Sequence, residues 1–282
     1  MNSLFCAKAA ESPLRGVKML LRFGVANHLS IRDYQELSLV ATSLKDPVEG
    51  LLRTTDKPGH NENERVAVPV VAIYGANAAG KSTILRALDF YVRAIRDSHV
   101  ARTSSEGTAY QPFLLDDDSR EEPSRYDADF IIESTRYHYG FILDGSVINE
   151  EWLYSFPPEG QRQIKSVLFH RNFAEDAPYY FGKTLKGDNR VIAKLTRDNS
   201  LYLSSAAQNA HPQLSRIYDY FKLGFSSRLD LFSDDNRIGD QIHAYFSADD
   251  TQRLRAMSFM KAADIGISDI QFFKKATLMK AS

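Results

Sequence analysis

Residues 75–82, Gly-Ala-Asn-Ala-Ala-Gly-Lys-Ser, carry a spacing suited to holding a phosphate, and Thr83 extends it. They match G-x-x-x-x-G-K-[ST]. Gly75 and Gly80 let the backbone curl close to an anion, so that the amides across Ala76, Asn77, Ala78 and Ala79 point inward. A helix that starts directly after the loop adds its positive N-terminal end. Lys81 suits the β- and γ-phosphate oxygens, and Ser82 suits a Mg2+ ion that bridges them. Several charge-assisted hydrogen bonds of about 1.5–3 kcal/mol each support micromolar affinity for a nucleoside triphosphate. The bland alternative is a glycine turn with a solvated lysine. Chance yields the pattern in about one chain in a hundred of this length, and few such accidents would fall between an apolar run and an amphipathic helix.

That placement is what the flanking residues predict. Residues 68–74 are a continuous valine- and isoleucine-rich run, the pattern of a parallel strand buried on both faces. Residues 81–97 put Ile84, Leu85, Leu88, Val92 and Ile95 at three- and four-residue spacing, which predicts one apolar helix face. Upstream, residues 19–25 and 34–41 read as short strands of a hairpin or meander, separated by the polar residues 27–33. Downstream, residues 98–125 are polar and acidic, with Phe113, Leu114 and Leu115 as the expected ordered contact. From 127 to 172 the period becomes two. Tyr137, Tyr139, Phe141 and Leu143 share one face, and Trp152, Tyr154 and Phe156 share another. Turn signals at Asp144-Gly145 and at residues 157–160 make this an antiparallel meander. Pro212 and Gly224 bracket a helix with Leu214, Ile217 and Phe221 inward. Ser247 and Asp249 are candidate caps of another, and residues 265–273 read as a last strand.

The chain has 282 residues, with 36 acidic and 35 basic side chains and a net charge of -1, a balance that argues against a general polyanion binder. Composition is that of an ordinary globular protein, and the length suits about two lobes. No apolar run approaches the roughly 20 residues of a membrane-spanning helix, so no membrane is expected. Cys6 is the single cysteine, which excludes an internal disulfide and fits a cytoplasmic setting. The seven histidines lack metal-site spacing, and no G-x-S-x-G occurs. Arg162, Lys165, His170 and Arg171 form a modest basic edge that a solvated strand explains equally well, so nucleic-acid binding is a weak expectation.

The loop GANAAGKST, with the strands before it, resembles the ABC-type P-loop ATPases of the bacterial AAA-family ATP/GTP phosphatases, relatives of RecF, SMC and OLD-family proteins. Residues 19–40 (MLLRFGVANHLSIRDYQELSLV) are similar to that family's opening hairpin. Residues 112–116 (PFLLD) and 137–141 (YHYGF) resemble its β-lobe, and 262–270 (AADIGISDI) the segment before its signature motif. The resemblance implies an α/β P-loop NTPase fold, a mixed sheet with an inserted antiparallel β-lobe and a helical region, incomplete at the C-terminus. The expected division is a tail (1–18), a nucleotide-binding lobe (19–125), a β-lobe (126–190), and a helical region leading into the second half of the core (191–282).

It also implies ATP and Mg2+ as cofactors, a homodimer or a partner chain that supplies the C-terminal half, and coupling to a nuclease or other effector in DNA maintenance or phage defence. The family's γ-phosphate-sensing glutamine would fall on Gln208, with Gln111 as runner-up. Its serine-glycine signature, acidic strand and switch histidine are not found. The nearest acidic run, residues 229–235, is broken by Asp230 and Ser233. The expectation is therefore an ATP hydrolase completed by groups from elsewhere, with a non-hydrolysing nucleotide-binding half as the alternative. A small-molecule kinase is disfavoured, because the long loops and the β-lobe do not resemble a compact lid.

Overall fold

The computed structural model describes residues 18–41, 66–77, 79–101, 103, 105–133, 135–156, 165–225, 253–254 and 257–258, and the backbone of 52–53. The chain divides into two compact units, Met1–Leu229 and Asp230–Ser282. The expected helix after 247 is described at only four residues, and the expected strand at 265–273 lies outside the described residues, as do residues 157–160 and Arg162.

The first unit is built on a seven-stranded antiparallel sheet. Its strands are β1 (Lys18–Ala26), β2 (Gln35–Ser38), β5 (Ser124–Ile132), β6 (Thr135–Leu143), β7 (Ile148–Phe156), β8 (Ser166–Asn172) and β9 (Tyr179–Phe181), in the order β2-β1-β5-β6-β7-β8-β9. The expected opening hairpin and the expected β-lobe are therefore parts of a single sheet, joined where β1 pairs with β5. A separate pair, β3 (Leu52–Arg53) and β4 (Val66–Ala67), lies beside the end of β2 through the Val40–Ala67 bridge.

The period of two is realised in the sheet. Tyr139, Phe141 and Leu143 are buried on the face that carries the helices. Trp152 lies opposite Gly140 and Tyr154 opposite His138, on the other face. Gly140 is required there, because a Cβ would come within 2.3 Å of the Trp152 ring. This second face is polar: Arg22 bonds Tyr34, Glu36, Asp127 and Asp129. Burial would raise the Asp129 carboxyl, but the His138 hydrogen bond and the guanidinium groups of Arg22 and Arg136 hold it below the usual range.

Helix α1 (Lys81–Asp97) matches the predicted span and lays Ala87, Tyr91, Val92 and Ile95 on the inner face of the sheet. The Tyr91 ring stacks on Phe141 at 5.5 Å, and its hydroxyl donates to the Tyr139 carbonyl at 3.1 Å. Helix α2 (Asp117–Glu121) is a short turn between α1 and β5. Helices α3 (Asn189–Leu195), α4 (Tyr202–Gln208) and α5 (Leu214–Gly224) complete the layer. Leu214, Ile217 and Phe221 point inward as predicted. Pro212 stands before the N-cap residue Gln213 instead of inside the helix.

Three expectations are corrected. Residues 68–74 form no strand, and Val70, Val71, Ile73 and Tyr74 are 79, 39, 36 and 89% exposed. Val68 donates to Leu39, but among the described residues no ladder continues beyond it, and an apolar run becomes a buried strand only where neighbours pair with it. In the 98–125 stretch Leu114 and Leu115 are exposed. Order comes instead from Asn27, whose side chain bonds the backbone of Phe113, Ser119 and Glu122. Arg171, read as part of a basic edge, is fully buried.

Arg171 is buried because Glu151 meets it in the core at 3.6 Å while its other donors reach the Ser200 and Asp198 carbonyls. Glu151 also accepts from the Tyr139 hydroxyl at 3.0 Å and from the first two amides of α4, Tyr202 at 2.6 Å and Leu203 at 3.0 Å. Burial pushes the Glu151 carboxyl up, and Arg171 and these donors oppose the rise. Removing one member of a buried pair strands the other without a partner. Glu151→Ala is expected to lower unfolding free energy by about 3–5 kcal/mol, read from the urea midpoint; a loss below about 1 kcal/mol would contradict this account of the pair.

Candidate functional site

The site forms where residues 75–80 run into α1. Gly80 is the N-cap residue in a left-handed conformation, φ 82°, which favours glycine. The amides of Thr83 and Ile84 both donate to the Gly80 carbonyl, at 2.9 and 3.2 Å. The Lys81 and Ser82 amides begin the helix without intrahelical acceptors. Lys81 folds back over the loop, its Nζ donating to the carbonyls of Gly75 at 2.8 Å and Ala76 at 2.5 Å. Among the described residues these carbonyls are its partners, and an ammonium so held at a helix N-terminus is suited to exchange them for phosphate oxygens. Ser82 is exposed at the second helical position, where its hydroxyl is open to a cation. Ala78 lies outside the described residues, and Asn77 and Ala79 are exposed on the loop.

A cleft of about 640 Å3 opens beside the loop, between it and the connection from β1 to β2. Its walls include Ser30, Arg32, Gln35, Tyr74, Gly80 and Lys81. The volume falls in the range of small-molecule sites. The Ser30 hydroxyl lies 2.7 Å from that of Thr83, which ties the β1–β2 connection to the first turn of α1. Neither Ser30 nor Arg32 stood out in the sequence, because residues 27–33 show only polarity and no period.

The two glutamine candidates fall in different places. Gln208 ends α4 and donates to the Tyr218 hydroxyl, which in turn donates to the carbonyl of Arg96 near the last turn of α1. With 17 residues, α1 is about 25 Å long, so the structure sets Gln208 near the end of the helix opposite the loop. Gln111 is nearer. Its carbonyl accepts from Leu29, next to Ser30, and its side chain is exposed. Among the described residues no cluster of three metal-ligating side chains occurs, and no helix is long and apolar enough to cross a membrane.

The model of the AAA-domain family described as AbiEii toxin-like, of type IV toxin–antitoxin systems, matches residues 70–269, most of the chain. The chain belongs to this AAA-domain family. No curated protein and no solved structure gives a significant match. An AAA domain implies a P-loop NTPase fold and an ATPase-type site. In this AAA domain the match begins just ahead of the phosphate loop and covers α1, the strands from β5 to β9 and the helices that follow.

One group packed on α1 of this AAA domain ties pH to stability. His28 is buried between Phe90 and Tyr126, and burial pushes its pKa down from 6.5 to about 4. Burial lowers His99 and His211 as well. Between pH 6.5 and about 4 the unfolded chain therefore binds more protons at His28 than the native one, so the stability that His28 contributes is fully present above 6.5 and is lost as pH drops through this window. Chemical unfolding at stepped pH should show this decline, and His28→Gln should reduce its slope. A flat profile over the window would refute the burial argument.

Proposed function

We propose that the chain binds MgATP at residues 75–83 and acts as a P-loop ATPase whose nucleotide-dependent rearrangement drives an effector. The observation that carries the reading is the Lys81 ammonium, held by loop carbonyls at the N-terminus of α1 beside an open cleft. Lys81 would take the β- and γ-phosphate oxygens, Ser82 the Mg2+ ion, and the loop amides, with Gly75 and Gly80 for close approach, the remaining phosphate oxygens. The bound Mg2+ would supply charge neutralisation between the phosphates. The cleft lined by Ser30, Arg32, Gln35 and Tyr74 leaves room for base and ribose.

Hydrolysis needs an acidic group and a closing signature that the sequence does not display, so in this reading they come from a partner chain. The broken acidic run at 229–235 favours the alternative, a nucleotide-binding half that does not turn over. A toxin–antitoxin setting is supported by the family description alone, and a nuclease effector or a role in phage defence only by the resemblance of the loop and its flanking strands to the ABC-type ATPases. A γ-phosphate role for Gln208 requires α4 or the loop to move. Gln111 needs a smaller change.

Calorimetric titration with MgATP should show micromolar binding by the chain and a loss of about 10- to 150-fold in Lys81→Ala. Steady-state turnover that rises faster than linearly with protein concentration would mean a dimer of this chain that carries its own acidic group. Turnover no greater than that of Lys81→Ala would leave the binding half as the function, and equal binding by both proteins would remove the loop from it.

A further inference from the structure

The connection between β1 and β2 is held in a conformation that its residues do not favour. Asn27 and Leu29 both lie at positive φ, 53° and 51°. Asparagine tolerates this region, but leucine rarely adopts it, and such residues persist only where their surroundings over-determine them. The surroundings do so here. His28 and Ile31 exchange backbone hydrogen bonds at 2.8 Å, Asn27 donates to Arg32, and Leu29 donates to Gln111. The His28 ring bonds the Tyr126 hydroxyl at 2.8 Å and packs 5.4 Å from the Phe90 ring of α1. Thr83 and Phe90, seven residues apart, lie close to the same face of that helix. The turn therefore meets α1 twice, through His28 at Phe90 and through Ser30 at Thr83.

The second contact reaches the phosphate loop. Thr83 is buried at 8% exposure, and in a helix a threonine hydroxyl can turn back onto the carbonyl four residues earlier. For Thr83 that carbonyl belongs to Ala79, inside the loop. The Ser30 hydroxyl at 2.7 Å offers another partner, which keeps the threonine from competing for the loop backbone.

We infer that Ser30, delivered by the strained 27–31 turn, is a positioning residue of the nucleotide site: it holds Thr83 in one rotamer and thereby sets the loop-to-helix junction that carries Lys81 and Ser82. This rests on the proposed MgATP binding, and it adds that the β1–β2 turn contributes to nucleotide affinity without contacting phosphate. Removing either hydroxyl breaks this bond, so the first turn of α1 is no longer tied to the 27–31 turn and the loop shifts from the geometry that accepts the phosphates.

The test is calorimetric MgATP affinity of the full chain and of Ser30→Ala, Ser30→Thr, Thr83→Ala and the Ser30→Ala/Thr83→Ala double variant, with Lys81→Ala as control. Melting of the nucleotide-free proteins confirms that each is folded at the titration temperature. Ser30→Ala and Thr83→Ala should each weaken binding by about three- to ten-fold. The double variant should lose no more than the larger single loss, and Ser30→Thr should stay within about two-fold of the parent. A merely structural serine would lower the melting temperature and leave the affinity unchanged. Parent-like affinity in Ser30→Ala while Lys81→Ala fails, or fully additive losses, would overturn the inference and leave the nucleotide site standing. A parent chain that does not bind MgATP would remove both.

Discussion

Helix α1 is the member on which the rest of this unit depends. Its N-terminus presents the phosphate loop, and its buried face supplies Ala87, Tyr91 and Ile95 to the core. Tyr91 alone touches Phe23, Tyr139, Phe141 and Phe221, so the sheet and α5 meet through it. A side chain wholly buried among aromatic rings on two strands and a helix has few alternative arrangements in a close-packed interior. The direction of the loop is then a consequence of core packing. The loop residues themselves bury little and could not set it.

Opposite ends of α1 are held by different chemistry. At the loop end the tie is light, one hydroxyl pair between Ser30 and Thr83, with His28 packing on Phe90 near mid-helix. At the far end the chain is knotted. Ser200, Arg197 and Asn199 donate to the carbonyls of Ser98, His99 and Thr103, and the Glu151–Arg171 pair fastens the following segment to the sheet. A helix fixed firmly at one end and lightly at the other leaves its first turn as the part that a ligand with differential affinity would shift. Val70, Ile73 and Tyr74 lead into this lightly held end while exposed.

Local pattern carried much of the architecture. The amphipathic spacing from Ile84 to Ile95 marked the span of α1, and the alternation of Tyr137, Tyr139, Phe141 and Leu143 marked the inward face of β6. Both are periodic signals that arise within one element, so no knowledge of neighbours is needed to read them. The phosphate loop was legible for a similar reason, because its glycines, lysine and serine are contiguous. Residues 68–74 show the limit. Their apolarity is real, but strand formation is a property of a pair, and the partner is not written in the run itself.

Contiguous chemistry and local period were thus settled by the amino-acid order: the loop at 75–82, the helix after it, and the alternating strands with their two distinct faces. Long-range folding decided the rest. It joined the opening hairpin to the meander in one sheet, paired Arg171 with a glutamate on the neighbouring strand, placed Gln208 far from the loop, and brought Ser30 onto Thr83 across 53 positions. These outcomes turn on which surfaces are desolvated together. An arginine and a glutamate, or two hydroxyls, have little reason to associate in water and strong reason to do so once packing has removed their other partners.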